Sequence, residues 1–513
     1  MDKLTVYTIV CLFTILEANI IPDDYNRERR ALLDEETLKS VGGKLRLNAN
    51  ETIANNILMR WKTKELNAAD SDPLHIDFSK HYFSYKKAIE KSKVYQIIKR
   101  MPKGAVLHVH STLMLHADAL VKLTYEDHLY ACYDNDSVVV YFSETIQALP
   151  CCCLSKWVLL SDLRNSSGDP VAFDSQLKNH FTLYKDHGED YDFVDINTVW
   201  KRFRKVNRAI GSLISYRPVR EKYCYETLKQ YYNDNIRYIE IRTGLFNIYE
   251  LNGTKHDVKY LVELYKNVTN KFIEDHPDFI GVKLIVTQSR SRNIDTERAR
   301  EVMNITKKLK SEMPDMIAGF DFVGQEDIGR PLTDFLPILS EAKDEINFYL
   351  HAGETAWLGT SADENLVDAI LLGSKRIGHG YALTKHPSLM SAVIERDIAL
   401  EVNVVSNVVL SLVHDVRNHP LASYLALGLP VVLSCDDPGA WSAEPLSHDF
   451  FLAFMGAASK HADLRLLKQL ALNSITYSAL EDEGKARLFK VFNDQWDKFV
   501  KDVISDICLS DSV

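Results

Sequence analysis

Eight short apolar runs punctuate this chain, at residues 105–110, 238–241, 282–286, 317–322, 348–351, 376–379, 400–404 and 431–434, with helical-looking segments between them. Such runs, alternating with helices, favour a parallel sheet, because a parallel connection needs a crossover long enough to hold a helix. Eight units predict a closed (β/α)8 barrel of the TIM type, in which chemistry is carried at the C-terminal ends of the strands. His110, His351, His379 and Asp436 fall at or just past the ends of such runs.

Two additions to the barrel are expected. Residues 19–100 are polar and mostly helical in pattern, with apolar positions at helical spacing around Tyr82, Phe83 and Tyr85 and again from Ala88 to Ile98. Met101-Pro102-Lys103-Gly104 then signals the turn into the first strand. Over a hundred residues between the first two runs break the alternation. We read residues 132–190, which hold a cysteine cluster and Gly168-Asp169-Pro170, as a module inserted after the first strand. The expected organisation is a signal peptide at 1–18, a helical segment at 19–100, the start of the barrel at 101–131, the insertion at 132–190, and the rest of the barrel with C-terminal helices at 191–513.

The signal peptide is read from Met1-Asp2-Lys3, an apolar run from Leu4 to Leu16, and Ala18 at the cleavage point. The run is shorter than the about 20 residues that span a bilayer, and no later stretch is long and apolar enough. A secreted, extracellular protein without a membrane span is therefore expected. Asn-X-Ser/Thr sequons at Asn50, Asn135, Asn165, Asn252, Asn267 and Asn304 agree with that route and imply a glycoprotein. Cysteines are sparse. A bridge from Cys132 to the Cys151–Cys153 cluster fits, and removal of Cys11 with the signal leaves an odd number. A formal net charge of -10 argues against a nucleic-acid partner.

Four constellations carry chemistry. His108-Val109-His110 places two imidazoles on one side of a strand, where they can share a metal. His351-Ala352-Gly353-Glu354 adds a third imidazole and a carboxyl, with small residues that let the chain turn close to a ligand. Gly378-His379-Gly380 sets a histidine between glycines at a strand end. Ser434-Cys435-Asp436-Asp437 puts two carboxylates after an apolar strand, costly to bury unless paired or metal-bound. Three histidines and one aspartate suit zinc, one ion per subunit, with N and O ligands. Such an ion lowers the pKa of water towards about 7, and Glu354 and His379 are at hand as acid and base.

These motifs, in order and spacing, resemble the adenosine deaminase family. Gly319-Phe320-Asp321-Phe322-Val323-Gly324 belongs to the same set. Met101-Pro102-Lys103-Gly104, Asn418-His419-Pro420 and the signal peptide resemble its secreted, growth-factor branch. The resemblance implies that His108, His110, His351 and Asp436 hold zinc. It implies that Glu354 protonates purine N1 and that His379 orients and deprotonates the attacking water. It implies that Asp437 binds N7, that the Gly324 backbone meets N3, and that Trp200 lines the pocket. It further implies a homodimer formed by the N-terminal helices and a Cys132–Cys153 disulfide. The substrate would be adenosine, with 2′-deoxyadenosine, and a cell-surface receptor or glycan would be a further partner. Two positions depart from the pattern. Ser111 stands where the family usually has an acidic residue for the sugar side, and Ser289 where this branch often has a histidine. Both touch substrate recognition, which leaves a catalytically weak, growth-factor-like binding protein as the alternative. A nucleotide substrate would need a basic pocket, and no basic cluster lies near the motifs in sequence.

Overall fold

The computed structural model describes residues 23–71, 76–134, 137–146, 149–150, 156–185 and 195–506. The expected signal peptide at 1–18, Asn135, Cys11, Cys151 to Cys153 and Cys508 lie outside them.

The barrel strands are β1 (Gly104–His110), β2 (Ile236–Gly244), β3 (Gly281–Ser289), β4 (Ile317–Val323), β5 (His351–Ala352), β6 (Arg376–His379), β7 (Ala399–Val402) and β8 (Val431–Leu433). β1 to β4 form one parallel sheet and β5 to β8 another. Parallel bridges Phe320–Phe348 and Val109–Asp436 join the two sheets at both seams, so the ring closes. The strands are buried almost throughout, which is why their sequences read as mainly apolar runs, broken by single charges, rather than as alternating ones. The fifth run is the least regular. Phe348 makes only an isolated bridge, and regular pairing begins at His351.

Outer helices bury one stripe each. In Val258–Asp275 that stripe is Leu261, Val262, Leu264, Tyr265, Val268 and Phe272, and the Asp257 carboxylate caps the N-terminus by accepting the Tyr260 N–H. Such a cap is worth about 1 kcal/mol. Asp195, Asp295 and Thr360 cap their helices in the same way.

Among the described residues four helices lie ahead of the barrel, Asp23–Lys39, Ala49–Ser71, Tyr82–Lys91 and Lys93–Arg100. The second packs on the C-terminal helix Asp482–Ser505, where Glu51 accepts from Trp496 Nε1 at 2.8 Å. The first exposes Tyr25, Leu32, Leu33 and Leu38 to solvent.

Between β1 and β2 lies a small antiparallel sheet that the sequence reading did not anticipate: Leu129–Asp134 at its centre, flanked by Ser137–Phe142 and Val158–Leu159. It starts ahead of residue 132. Helices Leu160–Ser166 and Pro170–Lys178 follow, and then Ile196–Leu213 returns to the barrel. Cys132 is disulfide-bonded, while Cys224 and Cys435 are free and buried. Cys153 lies outside the described residues. Among those residues no helix is long and apolar enough to cross a membrane.

Candidate active site

β1 presents His108 and His110 two residues apart, β5 opens on His351, and Asp436 lies just beyond β8. Asp436 is laced to β1 in both directions: His110 N donates to its carbonyl and Asp436 N donates to the His108 carbonyl, each at 3.1 Å. One donor atom from each of His108, His110, His351 and Asp436 lies within 4.8 Å of all the others. His110 Nε2 is 3.1 Å and His108 Nε2 3.5 Å from Asp436 Oδ1. Gly378 makes room for this. A Cβ there would stand 3.2 Å from His108 Cε1 and 3.2 Å from His351 Cα.

The donor set fits a divalent metal on two grounds. First, His108 Nε2 is buried and has no hydrogen-bond partner. An orphaned polar atom costs about 1–3 kcal/mol, and a metal in the cluster would satisfy it. Second, the charges count correctly. His108 Nδ1 rests on Glu401 at 2.8 Å and His351 Nδ1 on Asp321 at 2.6 Å, which turns both Nε2 atoms inward. Arg242 spans Asp321 (2.7 Å) and Glu401 (2.6 Å), and Arg376 spans Glu401 and Glu240, both at 2.6 Å. With Asp436, four buried carboxylates face two guanidiniums, which leaves two negative charges for a dication to balance. Burial lowers His351 to about 4 although Asp321 pulls the other way, and burial also lowers His110. Both are thus neutral imidazoles, the ligand form. Burial disfavours ionised Asp436, but the imidazoles of His108, His110 and His379 around it outweigh that and hold this carboxyl well below the usual range.

Glu354 and His379 face the same centre. His379 Nε2 lies 3.6 Å from Glu354 Oε1 and 3.8 Å from Asp436 Oδ2. Burial, then the charges of Asp436 and Glu326, push the Glu354 carboxyl well above its usual range. Glu326 accepts the Glu354 backbone N–H and is itself paired with Arg290 at 2.7 Å. Asp437 is raised by burial and by adjacent Asp436, and its Oδ1 is buried without a partner. His379 and Asp436 both adopt left-handed backbone, at φ 60° and 57°. Such conformations cost about 1–3 kcal/mol in non-glycine residues and cluster at functional sites.

A chain of hydrogen bonds fixes the His379 ring. Leu421 N–H donates to His419 Nδ1 at 3.0 Å, so the proton of neutral His419 sits on Nε2, which donates to Asn407 Oδ1 at 3.0 Å. Burial lowers His419 to about 3, which keeps it neutral. Asn407 Nδ2 then donates to His379 Nδ1 at 3.1 Å, leaving the His379 proton on Nε2, towards the cavity. Ser406 holds Asp436 Oδ2 at 2.7 Å from the same short helix, Val404–Val409.

These groups lie at one end of a cavity of about 970 Å³. Ser111, Trp200, Ser289 and Gly324, all singled out in the sequence, line it as well. The sequence reading missed Glu240, Arg242, Asp321, Arg376 and Glu401 as site residues. Their signal was present: each is a lone charge inside or at the edge of an apolar strand, which demands a buried partner. Asn407, Arg204 and Arg292 carried no such signal.

A closed eight-stranded barrel with histidines and acids at the C-terminal ends of its strands has the layout of a catalytic barrel of the TIM type. The comparisons narrow this. The family profile described as Adenosine deaminase matches residues 170–495, and Adenosine/AMP deaminase N-terminal matches residues 6–98. Adenosine deaminase 2 of Homo sapiens is 40% identical over 479 residues, 93% of each chain. Adenosine deaminase of Phlebotomus duboscqi is 39% identical over 475 residues, 92% of this chain and 91% of its own. The fold is shared with the N6-methyl-AMP deaminase from Arabidopsis thaliana (TM-score 0.56, 20% identity, 79% of this chain and 99% of that one). It is shared too with a Zn-bound amidohydrolase from Burkhoderia ambifaria (TM-score 0.54, 19% identity, 80% and 95%). The chain belongs to the adenosine deaminase family and is a hydrolytic deaminase.

Proposed function

We propose that this protein is a secreted, zinc-dependent adenosine deaminase that converts adenosine, and 2′-deoxyadenosine, to the inosine product and ammonia. The observation that carries the reading is the convergence of His108, His110, His351 and Asp436 with the His108 Nε2 atom left unpartnered inside it. Zinc in that cluster would supply a Lewis acid that eases ionisation of water; a bacterial structural neighbour has Zn bound.

The chain's own groups do the rest. Glu354, kept protonated by burial, donates to purine N1 and makes C6 electrophilic. Purine N7 is an acceptor, so its partner must donate. Asp437, also kept protonated and with a free buried oxygen, meets that need. His379 steers the attacking water through Nε2 and gives that proton to the departing amino group. The proton the water loses replaces it, so the ring is unchanged over a turnover. A C6–O bond forms, the C6–N bond breaks, ammonia leaves, and the remaining hydroxyl proton returns to Glu354 as C6 becomes a carbonyl. Trp200 and the Gly324 backbone bound the purine.

Secretion is supported by the exposure of all five sequon asparagines among the described residues, Asn50, Asn165, Asn252, Asn267 and Asn304. Dimerisation is supported by the apolar side chains exposed on helix Asp23–Lys39. Residues 132–190 are proposed as an inserted module, closed by a Cys132–Cys153 bridge, and as the surface for a cell-surface receptor or glycan. The second reading, a catalytically weak growth-factor-like protein, is favoured by neutral Ser111 and Ser289 in the cavity. Ammonia release from adenosine by the secreted protein, with chelator and zinc add-back, separates the two. Chelator-sensitive, zinc-restored turnover supports the enzyme, and a folded, zinc-loaded protein without turnover supports the second reading.

A further inference from the structure

Arg204 and Arg292 stand at the mouth of the catalytic cavity, and deamination of adenosine requires neither. Arg204 comes from helix Ile196–Leu213 and Arg292 from the turn after β3; both line the cavity and both are exposed. They bracket the same loop after β4. Arg204 Nη1 reaches Gln325 Oε1 at 3.4 Å, and Arg292 Nε donates to the Ile328 carbonyl at 3.0 Å. Neither has a carboxylate partner among the described residues, so most of their N–H donors are free. Neighbouring Arg290 is the contrast, buried and ion-paired with Glu326. The other polar residues around the mouth, Asn207, Ser289, Ser291 and Asn293, are neutral, and Ser111 adds no charge within. The carboxyls that line the cavity, Glu354, Asp436 and Asp437, are all buried at the far end.

Purine geometry fixes what meets these arginines. C6 is attacked beside the buried residues. N9 lies at the other end of the bicycle, so the sugar and anything attached to it points outward. We propose that the mouth is an anion subsite and that the preferred substrate is an adenine nucleoside carrying a phosphate on its sugar. The inference rests on the deaminase reading above and moves the preferred substrate from the free nucleoside to its phosphorylated form. Guanidinium forks match phosphate oxygens in geometry and charge. The cavity, about 970 Å³, lies at the upper end of the range for small-ligand sites and leaves room for the extension.

The test compares kcat/KM for adenosine, adenosine 5′-monophosphate and adenosine 3′-monophosphate at low and high salt. One phosphorylated substrate is expected to lead by about tenfold to a hundredfold at low salt, the range for charged hydrogen bonds. The 5′ and 3′ arms show which sugar position faces the arginines. The lead shrinks as salt screens exposed charges. In the Arg204→Ala/Arg292→Ala double variant the ratio of phosphorylated to unphosphorylated turnover falls by a similar factor. Calorimetric binding of inosine and of its 5′- and 3′-monophosphates gives a readout without turnover. Equal affinity for all three, or a preference unmoved by the double variant, overturns the subsite even if adenosine is deaminated well. Tighter, arginine-dependent binding of a monophosphate in a protein that releases no ammonia from any substrate supports the subsite and sinks the deaminase reading instead.

Discussion

Beneath the donor cluster, Glu240, Arg242, Asp321, Arg376 and Glu401 are buried, and each has an opposite charge within 2.7 Å. At the mouth of the same cavity, Arg204 and Arg292 are exposed and have no such partner among the described residues. The floor is over-determined, because an unpaired charge there would cost several kcal/mol and every side chain is held from two sides. The mouth is under-determined, because water solvates its charges and side chains can change there without unfolding the barrel. On the reading proposed above, reaction type is written into the buried end of the cavity and substrate choice into the mouth.

The largest effect should follow from emptying the cluster. Chelation is expected to take ammonia release to background and zinc to restore it, with circular dichroism confirming that the barrel persists. Glu354→Gln keeps the shape but removes the proton donor at N1. It should lower kcat by about a hundredfold to ten-thousandfold with metal content unchanged, as steady-state kinetics and metal analysis would show. Glu401→Gln attacks the floor itself. It weakens the hold on His108 Nδ1 and leaves Arg242 and Arg376 under-compensated. Metal affinity should drop about ten- to a hundredfold and unfolding free energy by about 3–5 kcal/mol. A fully stable Glu401→Gln protein would break the comparison.

Ser111→Asp tests the cavity wall. A carboxylate there should improve kcat/KM for adenosine by about tenfold to a hundredfold and disfavour phosphorylated substrates, with little change in melting temperature. The smallest effect on activity is expected at Lys62, a buried cation outside the site whose signature is in stability. Its amine donates to the carbonyls of Ser459 (3.0 Å) and Ala462 (2.8 Å) and has no carboxylate partner among the described residues. Burial, opposed only by Asp463, pushes it down to about 7. The folded pKa lies below the unfolded one, so the unfolded chain binds the extra proton between about pH 7 and 10.5. This group's contribution to stability therefore rises with pH across that window, by up to about 1.4 kcal/mol per unit. The stability gain of Lys62→Met over the parent should be larger at pH 6 than at pH 9 in chemical denaturation. A gain independent of pH would mean that folding does not depress the Lys62 pKa.

The sequence alone determined the barrel, because strands buried on both faces read as mainly apolar runs, and eight of them alternating with helices leave few other arrangements. It also determined the donor set. His-X-His on one strand, His379 between glycines and paired aspartates after a strand are each poorly explained by packing. Only the tertiary structure decided what surrounds them. The antiparallel sheet between β1 and β2 does contain an apolar run, at 138–142, but its antiparallel pairing with Leu129–Asp134 is what sets it outside the barrel. Asn407 and His419 meet His379 across separate elements. Arg204 and Arg292 reach one loop from distant points in the chain. Local sequence carries periodicity and turn chemistry, both set by near neighbours. Which distant charges share a cavity is set by how the ring closes, and no local pattern records that.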